Sequence, residues 1–170
     1  MFLHYTHPDN VDSILRNGLT VDNAAEAGRG LEWVLAYYET NPVYLTLGHS
    51  EFIEAYLETE WADYSCFEVD TAGVPLVADI PSLIDKGAKH DSGLLFVKKR
   101  ADLEPLLPFA DCHGWLEIEL LLDPETHACS AAIAITRTAA CLSPIEPHRL
   151  NLRTSLTNRS AQGIFPPSPR

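Results

Sequence analysis

Leu3-His4-Tyr5-Thr6 and Val43-Tyr44-Leu45-Thr46 are two short runs about forty residues apart, and they predict β-strands over residues 2–6 and 43–47. Between them, residues 10–19 predict one amphipathic helix. The apolar side chains on its single buried face are Val11, Ile14 and Leu15. Asn17-Gly18 supplies the left-handed residue that commonly ends a helix. The chain therefore begins with a strand, a helix, a linker and a second strand.

One globular domain is the expected organisation for a chain of 170 residues with 46% hydrophobic content. A chain of this length buries enough apolar surface to fold without disulfides or a structural metal. We assign residues 1–154 to this single domain. The segment 155–170 is rich in Ser, Asn, Gly and Pro, and we expect it to form a loosely ordered tail.

The four cysteines are widely spaced and form no Cys-x-x-Cys pair. Their scatter, the chain length and a start without a basic-then-apolar leader predict reduced thiols in a cytoplasmic protein. No stretch approaches the roughly eighteen consecutive apolar residues that span a bilayer, so no membrane partner is expected. Cys112-His113 and His127-Ala128-Cys129 lack the spacing of a zinc site, and no metal is expected.

The formal net charge of −12 opposes broad binding to a phosphate backbone, because nucleic-acid-binding surfaces are usually basic. The charge is nevertheless uneven. Residues 141–170 carry four arginines and one acid, Glu146, and Lys98-Lys99-Arg100 forms a second basic spot. These groups are either solvated surface charges, which is the commoner case, or a local anion-binding face.

The rest of the chain predicts many short strands and few helices. Strands are expected at 66–69, 74–77, 94–97, 115–120 and 132–136. Short helices are expected at 33–38, after Ser50 and at 81–86. This pattern predicts an α+β fold with a split, mostly antiparallel β-sheet.

A His-x-Thr strand, a helix ending in Gly18-Leu19, a linker and a Tyr-bearing strand together resemble the NAD-binding half of ADP-ribosyltransferases. The order of elements is similar to that of the poly(ADP-ribose) polymerase branch and of the toxin transferases that modify DNA. The resemblance implies an ADP-ribosyltransferase-like fold and NAD as a substrate. No Walker-type loop or Gly-x-Gly-x-x-Gly run occurs, so a Rossmann-type cofactor site is not expected.

The resemblance also implies roles for single residues. His4 would bind the adenosine-side ribose hydroxyl, the backbone of Tyr5 would hold the carboxamide, and Thr6 matches the Ser or Thr that ends the motif. Tyr44 would lie against the nicotinamide ring, since an aromatic face holds a flat, partly cationic heterocycle. Ser50 matches a serine near the carboxamide. Taken singly, His4, Thr6 and Tyr44 also fit ordinary packing or capping roles.

The family further carries a glutamate that opens a late strand and stabilises the positive charge developing on the ribose as nicotinamide leaves. In the matching segment, residues 130–136, Ala132 stands at that position. A methyl group neither polarises a hydroxyl nor acts as a base. On this alignment we expect NAD to bind, turnover to be near background, and Ala132→Glu to restore activity.

Three interpretations of Ala132 remain open. The chain is a catalytically disabled form of a toxic enzyme, or it is a natural member without the glutamate, as in RNA 2′-phosphotransferases of this fold. Alternatively, the alignment is displaced, and Glu117 or Glu119 on the alternating strand carries the role. Glu125, in a turn after Pro124, is a weaker candidate.

Three functions follow from these residues. The first is an NAD-dependent mono-ADP-ribosyltransferase, a bacterial toxin or phage-defence effector, whose acceptor is a nucleic acid or a protein. Arg149 and Arg153, with Lys98, would then lie near substrate phosphates, and an antitoxin protein would be a further partner. The second is a non-catalytic module that binds NAD or ADP-ribose. The third is an RNA 2′-phosphotransferase, which needs several basic residues in its cleft.

Overall fold

The computed structural model describes residues 1–21, 37–38, 40–49 and 64–153. Most of the helix expected at 33–38, Ser50 with the helix after it, and the tail 155–170 lie outside the described residues. The expected fold class is confirmed at the coarse level, since the described chain is α+β with antiparallel sheets and few helices. Within the same residues, no helix has the length and apolar character needed to cross a bilayer.

Two antiparallel sheets form the described structure. Their strands are β1 Phe2–Thr6, β2 Val43–Leu47, β3 Ser65–Val69, β4 Leu76–Ala78, β5 Lys89–Asp91, β6 Leu94–Phe96, β7 Trp115–Glu117, β8 Thr138–Cys141 and β9 Leu150–Arg153. The larger sheet has the order β4-β8-β2-β1-β3-β9, and the smaller one has the order β5-β6-β7. The expected strands at 2–6 and 43–47 are therefore confirmed, and they lie side by side at the centre of the larger sheet.

In the described residues, four short α-helices accompany the sheets: α1 Val11–Asn17, α2 Ile80–Asp85, α3 Glu119–Leu122 and α4 His127–Thr136. Single 3-10 segments occur at Pro8–Asn10, Ala101–Phe109 and Pro147–Arg149. Side-chain caps start two of the helices, since Asp79 accepts from the Ser82 amide at 3.1 Å and Thr126 from the Cys129 amide at 3.1 Å. Such caps satisfy backbone N–H groups that have no partner in the first helical turn.

Two apolar clusters hold the layers together. The smaller one joins α1 to the larger sheet and consists of Ile14, Leu19, Val43, Leu45, Phe67, Val69, Cys141 and Ile145. The larger one lies among α2, α4, the segment Ala101–Phe109 and the smaller sheet, and it reaches the larger sheet through Val77 and Ala140. The second cluster therefore fixes the smaller sheet against the β4-β8 edge of the larger one.

Three expectations need correction. In α1, Ile14 is buried but Leu15 is 45% exposed, because the helix is short and only part of its apolar stripe meets the sheet. The strand expected at 115–120 ends at Glu117, and α3 begins at Glu119. The strand expected at 132–136 is wrong, since these residues form the C-terminal half of α4.

The error at α4 has a physical cause. The alternation of Ala and Ile at 131–135 looks like a strand, but alanine is the best helix former and Thr126 supplies a side-chain cap. The buried residues of α4 are Ala128, Cys129 and Ala132, a helical stripe. Arg137, with φ of 56°, ends the helix and leads directly into β8.

Gly18 ends α1 at the point where the chain meets the residues before β9. Its φ is +78°, and a Cβ at this position would lie 2.1 Å from the carbonyl oxygen of Ile145. The close approach exists because Leu19 and Ile145 exchange two backbone hydrogen bonds, both 2.9 Å. Gly73 has a similar φ of +71°, but a Cβ there would meet open space.

The two glycines give a matched pair of substitutions. Gly18→Ala and Gly73→Ala both place a side chain at a positive φ, and Gly18, with ψ of −168°, also lies in a backbone region that is almost restricted to glycine. Only Gly18→Ala also drives a methyl group into a carbonyl, and we expect it to lower the free energy of unfolding by about 1–3 kcal/mol more than Gly73→Ala. Urea denaturation of both variants measures the difference. Equal destabilisation would contradict the tight contact.

Candidate functional site

The two central strands part partway along their length. Gly48 donates from its amide to the carbonyl of Met1 at 3.0 Å, and the ladder then pairs Phe2 with Leu47 and Leu3 with Thr46. The ladder goes no further, although both strands continue. We call this place, bounded by His4, Tyr5 and Tyr44, the β1–β2 gap.

The imidazole of His4 bridges the gap. Its Nδ1 lies 3.1 Å from the carbonyl oxygen of Tyr44, and a carbonyl oxygen only accepts, so Nδ1 carries the proton. Burial lowers the pKa of His4, which outweighs the opposite effect of this hydrogen bond. The ring is therefore neutral near pH 7, and Nε2 presents an acceptor lone pair. Among the described residues, no hydrogen-bond partner of Nε2 is found.

Tyr5 and Thr6 are tied to the surrounding structure. Thr6 is buried, and its Oγ1 accepts from Asn10 Nδ2 at 3.2 Å, which fixes the end of β1 to the turn before α1. The ring of Tyr5 packs edge-on against Tyr64, with centroids 5.7 Å apart. Tyr5 is also the register partner of Cys66 on β3. Tyr5 and Thr6 thus have firm structural roles in the described fold.

Tyr44 is half-buried, and its ring packs against the larger apolar cluster. Its hydroxyl is buried and has no hydrogen-bond partner in the described part of the chain. Burial raises the pKa of Tyr44, and the nearby charge of Asp79 raises it further. The phenol is therefore neutral. A buried hydroxyl without a partner costs free energy, and a hydrogen bond from a polar group of a ligand would recover it.

Ala132 does not stand where the resemblance puts the glutamate. It is a completely buried residue of α4, at 0% exposure, and it does not open a strand. The strand that pairs with the strand of Tyr44 and leads to Pro144 and Pro147 is β8, and Thr138 opens it. Thr138 is the register partner of Thr46, and its buried hydroxyl likewise has no partner within the described residues.

Thr138 is the residue that the sequence interpretation missed. The sequence signal for it lies at α4. Thr126 followed by an alanine-rich run indicates a capped helix, and a strand can then begin only after that helix ends at Arg137. Moving the strand from 132–136 to 138–141 puts a threonine at its first position. A hydroxyl donates and accepts hydrogen bonds, but it carries no negative charge to offset an oxocarbenium ion.

Glu117 and Glu119 lie elsewhere, at an open cavity of about 480 Å³. The cavity is lined by Tyr37, Ser92, Gly93, Glu117, Ile118, Glu119 and Leu122. Both carboxylates are exposed, and no residue of β1, β2 or β8 lines this cavity. The described structure thus brings Glu117 and Glu119 together with each other but not with the β1–β2 gap. Glu125 follows Asp123, whose carboxylate accepts from the Glu125 amide at 3.0 Å.

The basic residues expected near phosphates already have protein partners. Arg149 donates to the carbonyls of Asp70 and Ala72 at 3.3 and 2.7 Å. Arg153 forms an ion pair with Glu68, with Nε 2.6 Å from Oε1. Lys98 donates to the carbonyl of Cys112 at 3.2 Å. Each of these three basic side chains therefore has a structural role in the described fold.

Within the described residues, no group of three or more His, Cys, Asp or Glu side chains converges in a way that could hold a metal ion. Comparison with family models, with curated proteins and with solved structures finds no match for this chain. The candidate site therefore rests on its geometry and on the resemblance of its motif.

The position of Ala132 reverses the expectation for its substitution. Ala132→Glu would put a carboxylate into a packed helix interface, and an uncompensated buried charge costs about 3–5 kcal/mol. We expect the variant to be strongly destabilised, or unfolded, and not to gain activity. Ala134→Glu, at an exposed position of the same helix, is the matched control and should change stability by less than about 1 kcal/mol. Chemical denaturation compares them.

The lowered pKa of His4 predicts a pH-dependent contribution to stability. The unfolded chain binds the proton at the ordinary pKa of 6.5, and the folded chain binds it less readily. The contribution is therefore complete above pH 6.5 and is lost as the pH falls through the folded pKa. We expect unfolding free energies measured from about pH 8 to about pH 5 to fall more steeply for the wild type than for His4→Gln. Parallel curves would contradict a lowered pKa of His4 in the folded chain.

Proposed function

We propose that this protein is an NAD-dependent mono-ADP-ribosyltransferase that holds the nicotinamide end of NAD at the β1–β2 gap. The proposal is carried by one observation, the neutral His4 imidazole fixed across two parting strands next to Tyr44. This is the pairing of histidine and tyrosine strands that the resemblance implies. An ADP-ribosyltransferase-like fold is part of the same proposal.

His4 supplies a hydroxyl acceptor of defined direction. Because Nδ1 donates to Tyr44, Nε2 is the atom that accepts from a ribose hydroxyl. The hydrogen bond to a carbonyl also holds the ring in place before the ligand arrives, which reduces the entropy that binding must overcome. The ring of Tyr44 would lie against the nicotinamide, and the backbone of Tyr5 would hold the carboxamide. Thr6, bonded to Asn10, keeps the end of β1 rigid.

The strands that bound the gap supply no carboxylate to the proposed site. The strands β1, β2 and β8 contain no Asp or Glu, and Thr138 opens β8. Glu119, with Glu117, remains the candidate for the carboxylate, and its cavity is lined by Tyr37, whose neighbour Tyr38 packs in the same apolar cluster as Tyr44.

A second candidate function is a non-catalytic module that binds NAD or ADP-ribose, and the threonine at position 138 favours it. Without a carboxylate, such a site binds the dinucleotide but stabilises the departing nicotinamide poorly. An RNA 2′-phosphotransferase is less well supported, because Arg149 and Arg153 are engaged by protein groups. The engagement of these two arginines by protein groups and the net charge of −12 both favour a protein acceptor over a nucleic acid. A bacterial toxin or phage-defence role in the cytoplasm, with an antitoxin as partner, belongs to the same proposal.

NAD titration with matched histidine variants tests the binding site. We expect His4→Ala to weaken NAD binding by roughly tenfold or more, because the ribose hydroxyl loses its acceptor and an unsatisfied buried polar group costs about 1–3 kcal/mol. His113→Ala, at an exposed histidine of the turn before β7, should leave the affinity unchanged. Isothermal titration calorimetry on folded variants gives both values. Equal affinities for wild type and His4→Ala would remove NAD from the gap.

Nicotinamide release then separates the two functions. A transferase releases nicotinamide, and we expect Glu119→Gln to reduce that rate by about two to three orders of magnitude if this carboxylate supports the ribose. A binding module holds NAD without release, and Glu119→Gln then changes nothing. Chromatographic quantification of nicotinamide after incubation with NAD distinguishes these outcomes.

A further inference from the structure

A second cavity, of about 340 Å³, lies at one end of the smaller sheet. Its lining is Gly87, Ala88, Lys89, Phe96, Lys99 and Arg100. Lys89 on β5 and Phe96 on β6 are register partners, so the sheet itself sets the width of one wall. The turn after α2 supplies Gly87 and Ala88 as the other wall. We call this space the basic cavity.

Among the described residues, the basic cavity is lined by three cationic side chains and by no acidic side chain. The ion pairs found among the described residues involve Arg153 with Glu68 and His7 with Asp9, and none involves Lys89, Lys99 or Arg100. The chain carries 24 acidic residues and only 12 basic ones, so acidic side chains that could pair with these cations are present in excess in the sequence. Three cations gathered without an acid repel one another, and an anion from solution relieves that repulsion.

Local packing orients two of the three cations. The Arg100 guanidinium lies directly over Gly87, since a Cβ at Gly87 would be 2.2 Å from its Nε. Lys99 Nζ lies 5.9 Å from the centroid of the Phe96 ring, a cation–π distance. Phe96 is in turn held by Trp115, with centroids 5.1 Å apart. The cavity thus has a small-residue wall that admits the guanidinium and an aromatic wall that supports an ammonium.

We propose that the basic cavity binds the phosphate or pyrophosphate group of a small phosphorylated molecule. Arginine matches the geometry of phosphate oxygens and lysine adds point charges, so this trio suits a compact, multiply charged oxyanion. The volume fits a small ligand. The net charge of −12 opposes a long polyanion, which would also contact the acidic surface. No lining residue belongs to β1, β2 or β8, so this site is independent of the β1–β2 gap.

Calorimetric titration with inorganic pyrophosphate, using the full chain at constant ionic strength, tests the proposal. We expect saturable binding, and we expect Lys99→Gln and Arg100→Gln each to weaken it by roughly tenfold or more, the usual effect of losing a charge-assisted hydrogen bond. Lys98→Gln is the matched control. It removes the same charge from the neighbouring position, but Lys98 donates to Cys112 and does not line the cavity, so affinity should change less than about twofold.

A glycine pair tests the geometry separately from charge. Gly87→Ala would push the Arg100 guanidinium away without changing any charge, and we expect pyrophosphate affinity to fall. Gly93→Ala has a similar φ, +83° against +99°, but its Cβ would meet open space, so affinity should stay the same. Equal affinities for the two folded variants would overturn the role of Arg100.

Further arms identify the ligand source and separate this site from the proposed NAD site. Adenosine monophosphate should compete with pyrophosphate for the same site, and His4→Ala should leave pyrophosphate binding intact. Loss of pyrophosphate binding in His4→Ala would place the anion at the gap and overturn the basic cavity. The contrary outcome is a single-stranded oligonucleotide that binds more tightly than pyrophosphate does, with an affinity that falls steeply as salt rises in both the wild type and Lys98→Gln. That result would overturn the small-ligand proposal in favour of a nucleic-acid backbone. No binding at millimolar pyrophosphate would also overturn the proposal.

Discussion

The hydrogen bond from His4 Nδ1 to the carbonyl oxygen of Tyr44 joins the two central strands where their backbone ladder ends. A buried carbonyl needs a donor, and when neighbouring strands part the donor must come from a side chain or a ligand. His4 provides it within the protein, and in doing so fixes its own tautomer. The tautomer of the ring and the acceptor at Nε2 are therefore consequences of this contact, whereas burial keeps the imidazole neutral.

In the larger apolar cluster, against which Tyr44 packs, and on the strands beside it, buried hydroxyls differ in their hydrogen bonding. Tyr38 donates to the Ala78 carbonyl at 2.7 Å and accepts from the Ile80 amide at 2.9 Å, which fixes the start of α2 beside Tyr44. Tyr44 and Thr138 instead have buried hydroxyls without partners in the described residues. Both lie on the pair of strands β2 and β8. Polar atoms that the fold leaves unsatisfied on one face mark where a polar ligand group gains most from binding.

Charge is separated along the smaller sheet. At one end, Glu117 and Glu119 face the cavity bounded by Ser92 and Gly93, and at the other end Lys89, Lys99 and Arg100 surround the basic cavity. The register explains the separation, because Asp91, Leu94 and Glu117 align at one end and Lys89, Phe96 and Trp115 at the other. The nine strand residues of this sheet thus lie between two cavities whose linings carry opposite charge.

The amino-acid pattern was sufficient for features governed by local chemistry: the strands at 2–6 and 43–47, the α1 helix with its glycine end, and the α+β class. Strand and helix periods and the backbone freedom of Gly18 act within a few residues, so they can be read without the fold. Only the tertiary structure decided that Ala132 is a buried helix residue, that Thr138 opens β8 and that Leu15 faces solvent. It also decided that Arg149 and Arg153 are engaged by Asp70, Ala72 and Glu68. These outcomes depend on contacts between residues far apart in the chain, and a short apolar run such as Ala131–Ile135 packs equally well as helix or strand until its neighbours are in place.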